Sequence, residues 1–391
     1  MPASICGNEW SVLKGVCSSV RWPLRNQSAA CWKSPSFRWR PPSFPVRCGS
    51  TTGSIFRCEA VHTMDDLAQL MQMVTQAYGV TSATLRPMHR FQIDGRGIYR
   101  VDSTGGPPYL LRAYRQDETK AAWLAGRAAS LLFLEQAGYP APRVVRTLNG
   151  ELVGRFQGWA GLLLTFVEGT TASDSLADYH AIGATLGRLH QLDPRQAATA
   201  TPPIPPSRWQ PASKISQWIA DLTAIAGQIP PELRGLYRFS LETLQRVAGW
   251  SELPLTVLHT DCWAHNAIRT PGGEIILIDW DGAGLGPAVL DLGYLLVACH
   301  AFLPEWPHIV PHGGRISAVM EGYLQQRPLT EVECAVLPDA LRFTEAFRAA
   351  QWLPTGLQGD WRADTRLRKF LDRYPVTDAI ADLTRQTLPQ R

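Results

Sequence analysis

Residues 257–281 read VLHTDCWAHNAIRTPGGEIILIDWD, and the placement of their polar groups governs every other inference about the chain. An apolar run, Leu255 to Leu258, leads into His259-Thr260-Asp261, and Asn266 follows five places after Asp261. A Pro-Gly-Gly turn then joins two short strands, the second of which, Ile275 to Ile278, ends on Asp279. Strand-end loops tied together by a hairpin converge at one rim, so Asp261, Asn266 and Asp279 are expected to point into one cleft. Two carboxylates and a carboxamide are hard oxygen donors, suited to Mg²⁺ bridging phosphate oxygens. Asp281 adds a third acid, either as a supporting carboxylate or as the N-cap of the next element. Carboxylates a few ångström apart repel by roughly 3–4 kcal/mol per pair at an effective dielectric of about 20, a penalty that a divalent cation removes.

Upstream, the chain reads as a small sheet. Leu85 to Ile93, Ile98 to Asp102 and Tyr109 to Tyr114 are β-type runs separated by glycine-marked turns at 94–97 and 104–108, which predicts a three-strand antiparallel meander. A helix is expected over Thr119–Ala137, closed by Gly138, Pro140 and Pro142, with strands near Arg143–Thr147 and Gly161–Val167 after it. From there the spacing turns helical: Leu176, Tyr179, Ile182, Leu186 and Leu189 share a face, with Ser173 or Asp174 as N-cap. Thr201 to Pro211 (TPPIPPSRWQP) holds too many prolines for a ladder or a helix and is expected to be a surface connection. Helices are expected again from about 215 to 249 and from about 287 onward. The chain therefore divides into a first lobe over 64–168 and a mainly helical second lobe over 169–391.

Phosphoryl transfer asks little covalent chemistry of a protein. It needs metal to neutralise the phosphates, a cation on the phosphates that stay behind, and a carboxylate to orient the acceptor hydroxyl. Asp261 is the candidate for the hydroxyl, Asn266 and Asp279 for the metal, and Arg112 on the third strand for the nucleotide phosphates. The turn holding Gly95 and Gly97 would let backbone N–H groups approach those phosphates, although a hairpin asks for such glycines in any case.

His259, Asp261 and Asn266 also match H-x-D-x-x-x-x-N, so the chain resembles the aminoglycoside phosphotransferase family, whose catalytic loop carries that pattern. Asp279 lies thirteen residues further on, where the family has its second metal carboxylate. Leu189-His190 resembles the Leu-His that ends the helix before the catalytic loop, and Gly138-Tyr139-Pro140-Ala141-Pro142 resembles the family's G-x-P-x-P. Asp291-Leu292 matches the Asp-Leu whose carboxylate braces that loop. The resemblance covers about 84–350 and implies an α+β, bilobal protein-kinase-like fold, a small antiparallel sheet with a helix above a mainly helical lobe. It further implies an ATP- and Mg²⁺-dependent phosphotransferase acting on a hydroxyl of a small molecule, with His259 and Asp291 as structural support. Three departures stand out. Arg112 occupies a place where the family often has Lys. Arg127 aligns where kinases put the Glu that pairs with this cation, leaving Glu118 or Glu135 as substitutes. Cys262 and Trp263 replace the usual Leu/Phe-His after Asp261, and His265 stands where Gly is usual. The Arg127 departure keeps a second reading open, a catalytically weak nucleotide-binding pseudokinase or scaffold.

The 391 residues carry a net charge of +4, but residues 1–58 hold eight Lys/Arg against Glu9 alone, so the body is mildly acidic. Residues 1–63 lack sustained apolar periodicity and are expected to be a disordered or non-native extension; their Arg- and Ser-rich, acid-poor text also fits a transit peptide. No stretch of eighteen apolar residues occurs, so no membrane span is expected. The basic N-terminus has no fold to present it to nucleic acid, and no nucleic-acid partner is expected. Cys262, Cys299 and Cys334 are scattered thiols, as in a reducing, cytoplasmic setting, and Cys262 lacks the partners of a nucleophile. Residues 300–391 carry eleven acids and eleven Lys/Arg, which does not favour a polycationic antibiotic over a sugar, amino alcohol or other metabolite. Trp306, Trp352 and Trp361 are candidate stacking surfaces or core.

Overall fold

Why Arg112 ends up buried follows from the order of the strands around it. The computed structural model describes residues 64–88, 96–115, 118–209, 212–250, 253–301 and 308–388, all within one unit, Cys58–Arg391. A first helix, α1 (Met64–Tyr78), precedes β1 (Thr84–Pro87), β2 (Arg96–Asp102) and β3 (Tyr109–Arg115). Next come α2 (Glu118–Gln136), β4 (Val144–Val145), β5 (Gly154–Phe156) and β6 (Trp159–Thr165). These strands make one six-stranded sheet of order β1-β2-β3-β6-β4, with β5 paired to β6. Arg112 therefore lies in a central strand, opposite Ile98 on one side and Leu162 on the other. Its neighbours Leu111 and Ala113 face a small core that α1 closes with Leu70, Met73 and Val74.

Two details differ from expectation. The β5–β6 hairpin adds a sixth strand; it turns on Gln157-Gly158, both at positive φ (43° and 79°), the two-residue geometry that matches strand twist. Gly97 stands inside β2, paired with Ala113, and not in a turn. A Cβ there would come within 2.4 Å of the Tyr99 ring, so packing demands this glycine. Gly95 lies outside the described residues.

The rest of the chain is mainly helical. After β7 (Thr170–Thr171) come α3 (Leu176–His190), α4 (Pro194–Ala198), α5 (Ala212–Ala224) and α6 (Arg234–Ala248). Then follow β8 (Leu255–Leu258), β9 (Ala267–Arg269), β10 (Ile275–Leu277), β11 (Gly284–Pro287) and four helices: α7 (Ala288–Ala298), α8 (Gly313–Gln326), α9 (Glu331–Gly356) and α10 (Thr365–Thr387). The result is the α+β, bilobal arrangement expected from the sequence, a small antiparallel sheet with a helix and a mainly helical lobe. The N-cap of α3 is Ser175, whose hydroxyl accepts from Asp178 N at 3.1 Å. The expected caps are occupied elsewhere: Ser173 donates through N and Oγ to Asp178 Oδ2 at 2.6 and 2.5 Å, and Asp174 makes a two-pronged pair with Arg315 at 2.6 and 2.7 Å.

The proline-rich segment expected to be a surface connection is instead packed. Ile204, Ser207 and Trp209 are buried, and Ser207 N donates to Leu285 O at 2.9 Å. Prolines bar a ladder without barring burial, because Ser207 N finds its partner on β11 and Arg208 N donates to Gly282 O at 3.1 Å. Among the described residues no helix is long and apolar enough to cross a membrane.

Candidate active site

β8 delivers residues 259–266 to the rim below the sheet, and the β9–β10 hairpin brings the chain back to Asp279. His259 ties the two ends together. Its Nε2 donates to Ile278 O at 2.8 Å and its Nδ1 accepts from Asp261 N at 3.2 Å, which sets a neutral tautomer. Burial pushes its pKa down, in keeping with that assignment. Asp291, in the first turn of α7 and fully buried, accepts from His259 N at 2.5 Å and Thr260 N at 2.6 Å. His190 Nε2 reaches the same carboxylate at 3.4 Å, and its Nδ1 faces Tyr323 Oη at 2.9 Å.

The loop so held is strained. Thr260 and Asp279 both have left-handed backbones, with φ of 68° and 64°. A β-branched residue rarely adopts this conformation, so its neighbours must over-determine it. Gly282 makes room for it, since a Cβ there would come within 1.9 Å of Thr260 Oγ1.

Three donors face the Asp261 carboxylate. Tyr294 Oη donates to Oδ1 at 2.6 Å, Asn266 Nδ2 donates to Oδ2 at 3.0 Å, and Arg208 Nη2 lies 3.5 Å from Oδ1. Arg208 also donates to Thr260 O. Burial, and then the negative charge of Asp261, push the Tyr294 phenol well above its usual pKa, so it remains a donor. With its amide hydrogens spent on Asp261 O (2.9 Å) and Oδ2, Asn266 keeps Oδ1 as an acceptor.

Arg112 donates to Asp279 Oδ1 at 2.6 Å and also to Asp281. Its acid partners thus come from the loop after β10. Glu135 is exposed on α2 and does not pair with it. Arg127 points to the same region: its Nη1 donates to Ala283 O, and its guanidinium lies 5.0 Å from the Trp123 ring centroid. Burial lowers the Arg127 pKa, and Asp281 partly offsets this. Between the two acids, Trp280 turns inward, 4.5 Å from the His259 ring and bonded through Nε1 to Leu277 O at 2.9 Å. Asp279 and Asp281 line the cavity on either side of that wedge. The cavity measures about 530 Å³ and is also lined by Arg112, Arg127 and Asn266, under a roof that includes Ile98, Leu110 and Leu162. Gly97 is not among its lining residues.

Cys262 is buried, and burial pushes its thiol well up, which makes it inert. Trp352 and Trp361 are half-buried against the core and carry Arg366 and Arg362 over their rings. Neither lines a cavity at Asp261, and Trp306 lies outside the described residues. The motif does not reveal Tyr294, Arg208 or the strained Thr260. Tyr294 is three residues past Asp291, on the same helix face, and that spacing is the available signal.

The profile of the phosphotransferase enzyme family matches residues 93–329. A homoserine kinase of Granulibacter bethesdensis is 28% identical over 267 residues, 66% of this chain and 78% of that protein. One of Beijerinckia indica is 30% identical over 231 residues, covering 56% of this chain and 67% of the relative. Among solved structures, the amicoumacin kinase hAmiN, in complex with AMP-PNP and Ca²⁺, superposes with a TM-score of 0.56 at 18% identity, covering 81% of this chain and 93% of that one. A microcompartment-associated aminopropanol kinase also gives 0.56, at 20% identity, covering 81% and 96%. The structural likenesses establish the fold, and the sequence matches establish the descent. The chain belongs to the phosphotransferase enzyme family and is a small-molecule kinase that passes phosphate to a hydroxyl.

Proposed function

We propose that the chain uses ATP with Mg²⁺ and phosphorylates a small hydroxylated metabolite, with Asp261 orienting the acceptor. The reading rests chiefly on one observation: the Asp261 carboxylate is held by Tyr294 and Asn266, while Asn266 and Asp279 both line the cavity that holds Arg112 and Arg127. The cavity has an apolar roof for a base, and Arg112 on the same sheet and Arg127 on α2 line it as cations for phosphates. Asn266 Oδ1 and the Asp279 carboxylate fit Mg²⁺, which takes one or two protein oxygens and fills its sphere with phosphate and water. Bound there, the metal neutralises phosphate charge.

The protein's own part is orientation. Asp261 presents a fixed acceptor to the hydroxyl, whose oxygen forms the new P–O bond as the bond to the departing ADP breaks; the hydroxyl proton passes to Asp261. Arg112 and Arg127 are assigned to the phosphates that remain on the nucleotide. The pseudokinase alternative drew on Arg127 at the Glu position, and Arg112 has its carboxylates from Asp279 and Asp281 instead. The relatives' acceptor, homoserine, is the first compound to test. With ATP and Mg²⁺, ADP release should depend on it or on another small amino-bearing alcohol. Release no faster than the acceptor-free background across homoserine, aminopropanol, ethanolamine and spectinomycin would overturn the proposal.

A further inference from the structure

Beyond Trp263 lies a second cavity, of about 160 Å³, whose walls include Trp263, Tyr294, Thr344, Glu345, Arg348 and Arg373. It adjoins the reacting end of the site, because Tyr294 lines it and bonds Asp261 with its hydroxyl. Trp263 lines this cavity and the larger one alike.

One group in this wall is out of balance. Glu345 on α9 is 3% exposed, and its Oε2 has no hydrogen-bond partner. Arg348 forms an ion pair with the other oxygen at 3.6 Å, beyond hydrogen-bonding range, and leaves Oε2 without a donor. A buried carboxylate oxygen without a donor is costly, and such a group calls for a partner that arrives with the ligand. The partner that both donates and neutralises is an ammonium. Arg348 and Arg373, from α9 and α10, line the same space, and a guanidinium fork matches a carboxylate. The size is near the roughly 150 Å³ that holds a benzene-sized molecule, which suits a small acceptor. Two guanidiniums against one carboxylate also repel a polycation.

We propose that this cavity is the acceptor pocket and that the acceptor is a small zwitterion, its ammonium taken by Glu345 and its carboxylate by Arg348 and Arg373. The hydroxyl then extends past Tyr294 to Asp261. This assignment rests on the kinase reading above, and the test separates the two.

The full chain is assayed with ATP and Mg²⁺ on homoserine, on 3-amino-1-propanol, which lacks the carboxylate, on 4-hydroxybutanoate, which lacks the ammonium, and on spectinomycin. Homoserine is expected to exceed both truncated compounds in kcat/KM by at least about 100-fold, because each leaves a buried charge unpaired. Glu345→Gln should raise the homoserine KM by at least about tenfold with little change in kcat or in the nucleotide KM, and should narrow the preference over 4-hydroxybutanoate. Arg373→Ala should narrow the preference over 3-amino-1-propanol instead. A purely structural role for these residues would shift all acceptors together, and this crossed pattern would be absent. Glu345→Gln removes the undonated Oε2 together with the 3.6 Å ion pair to Arg348, two opposing effects, so its ligand-free melting temperature should stay close to that of the parent. Equal rates on homoserine and its truncated analogues, or a preference for spectinomycin, would overturn the pocket assignment and leave the kinase intact. Transfer to none of the four would sink the kinase reading itself.

Discussion

Thr260 pays for its left-handed backbone with the two N–H bonds that Asp291 receives from it and from His259. Removing that carboxylate leaves two buried donors orphaned and frees the strained loop. Asp291→Ala is expected to lower unfolding free energy by roughly 3 kcal/mol, read from urea midpoints, and to abolish most turnover in the remaining folded protein. Asp261→Asn tests orientation directly. It keeps the shape and still faces Tyr294, so kcat should fall by roughly 10² to 10⁴ while nucleotide KM stays put. A variant at full rate would refute the assignment. Tyr294→Phe removes one donor to Asp261 Oδ1 without emptying space, and kcat should drop about tenfold, one charged hydrogen bond's worth, in steady-state assays.

Helix α3 crosses α8 at backbone contact. Gly183 and Gly187 on one helix and Gly322 on the other leave no room for a Cβ: one on Gly322 would lie 1.9 Å from His180 O, and one on Gly183 would lie 2.3 Å from Val319 O. That closeness lets His190 on α3 meet Tyr323 on α8 beside Asp291. Gly322→Ala must push two helix backbones apart, so a loss of at least about 2 kcal/mol is expected in denaturant melts; an unchanged midpoint would show that the helices separate freely. The apolar stripe of α3 was legible in the sequence because Tyr179, Ile182, Leu186 and Leu189 repeat at helical spacing and are buried, whereas Leu176, expected on the same face, is exposed at the first turn. Its glycines carried no message until the partner helix was known, since small residues mark close approach only when something approaches. The same reason hid Arg208. Its proline-rich surroundings specify what the backbone avoids and say nothing of the loop against which it packs. Asp261, Asn266 and Asp279 were readable because their offsets are local, whereas Glu345, Arg348 and Arg373 come from helices far along the chain with no shared motif.

Across the molecule, buried histidines set an acid limit. His300 donates through Nδ1 to Leu296 O at 3.0 Å and accepts from His312 N at 3.0 Å, and burial pushes its pKa down to about 4. His190 and His259 are lowered by burial as well. The unfolded chain, with ordinary imidazoles near 6.5, binds more protons between about pH 4 and 6.5, so stability falls as pH drops through that window. His300 alone contributes about 3 kcal/mol over the full range. Thermal melts should show a lower midpoint at pH 5 than at pH 7, and equal midpoints would mean these imidazoles are solvated. A different whole-molecule consequence comes from the indole of Trp263, a party wall between two rooms. An occupant that fixes the ring on one side also sets the space offered on the other, and linkage returns the favour by the same factor. Nucleotide affinity measured with and without saturating acceptor should therefore differ, and whichever guest enters first, the second finds its lodging already altered.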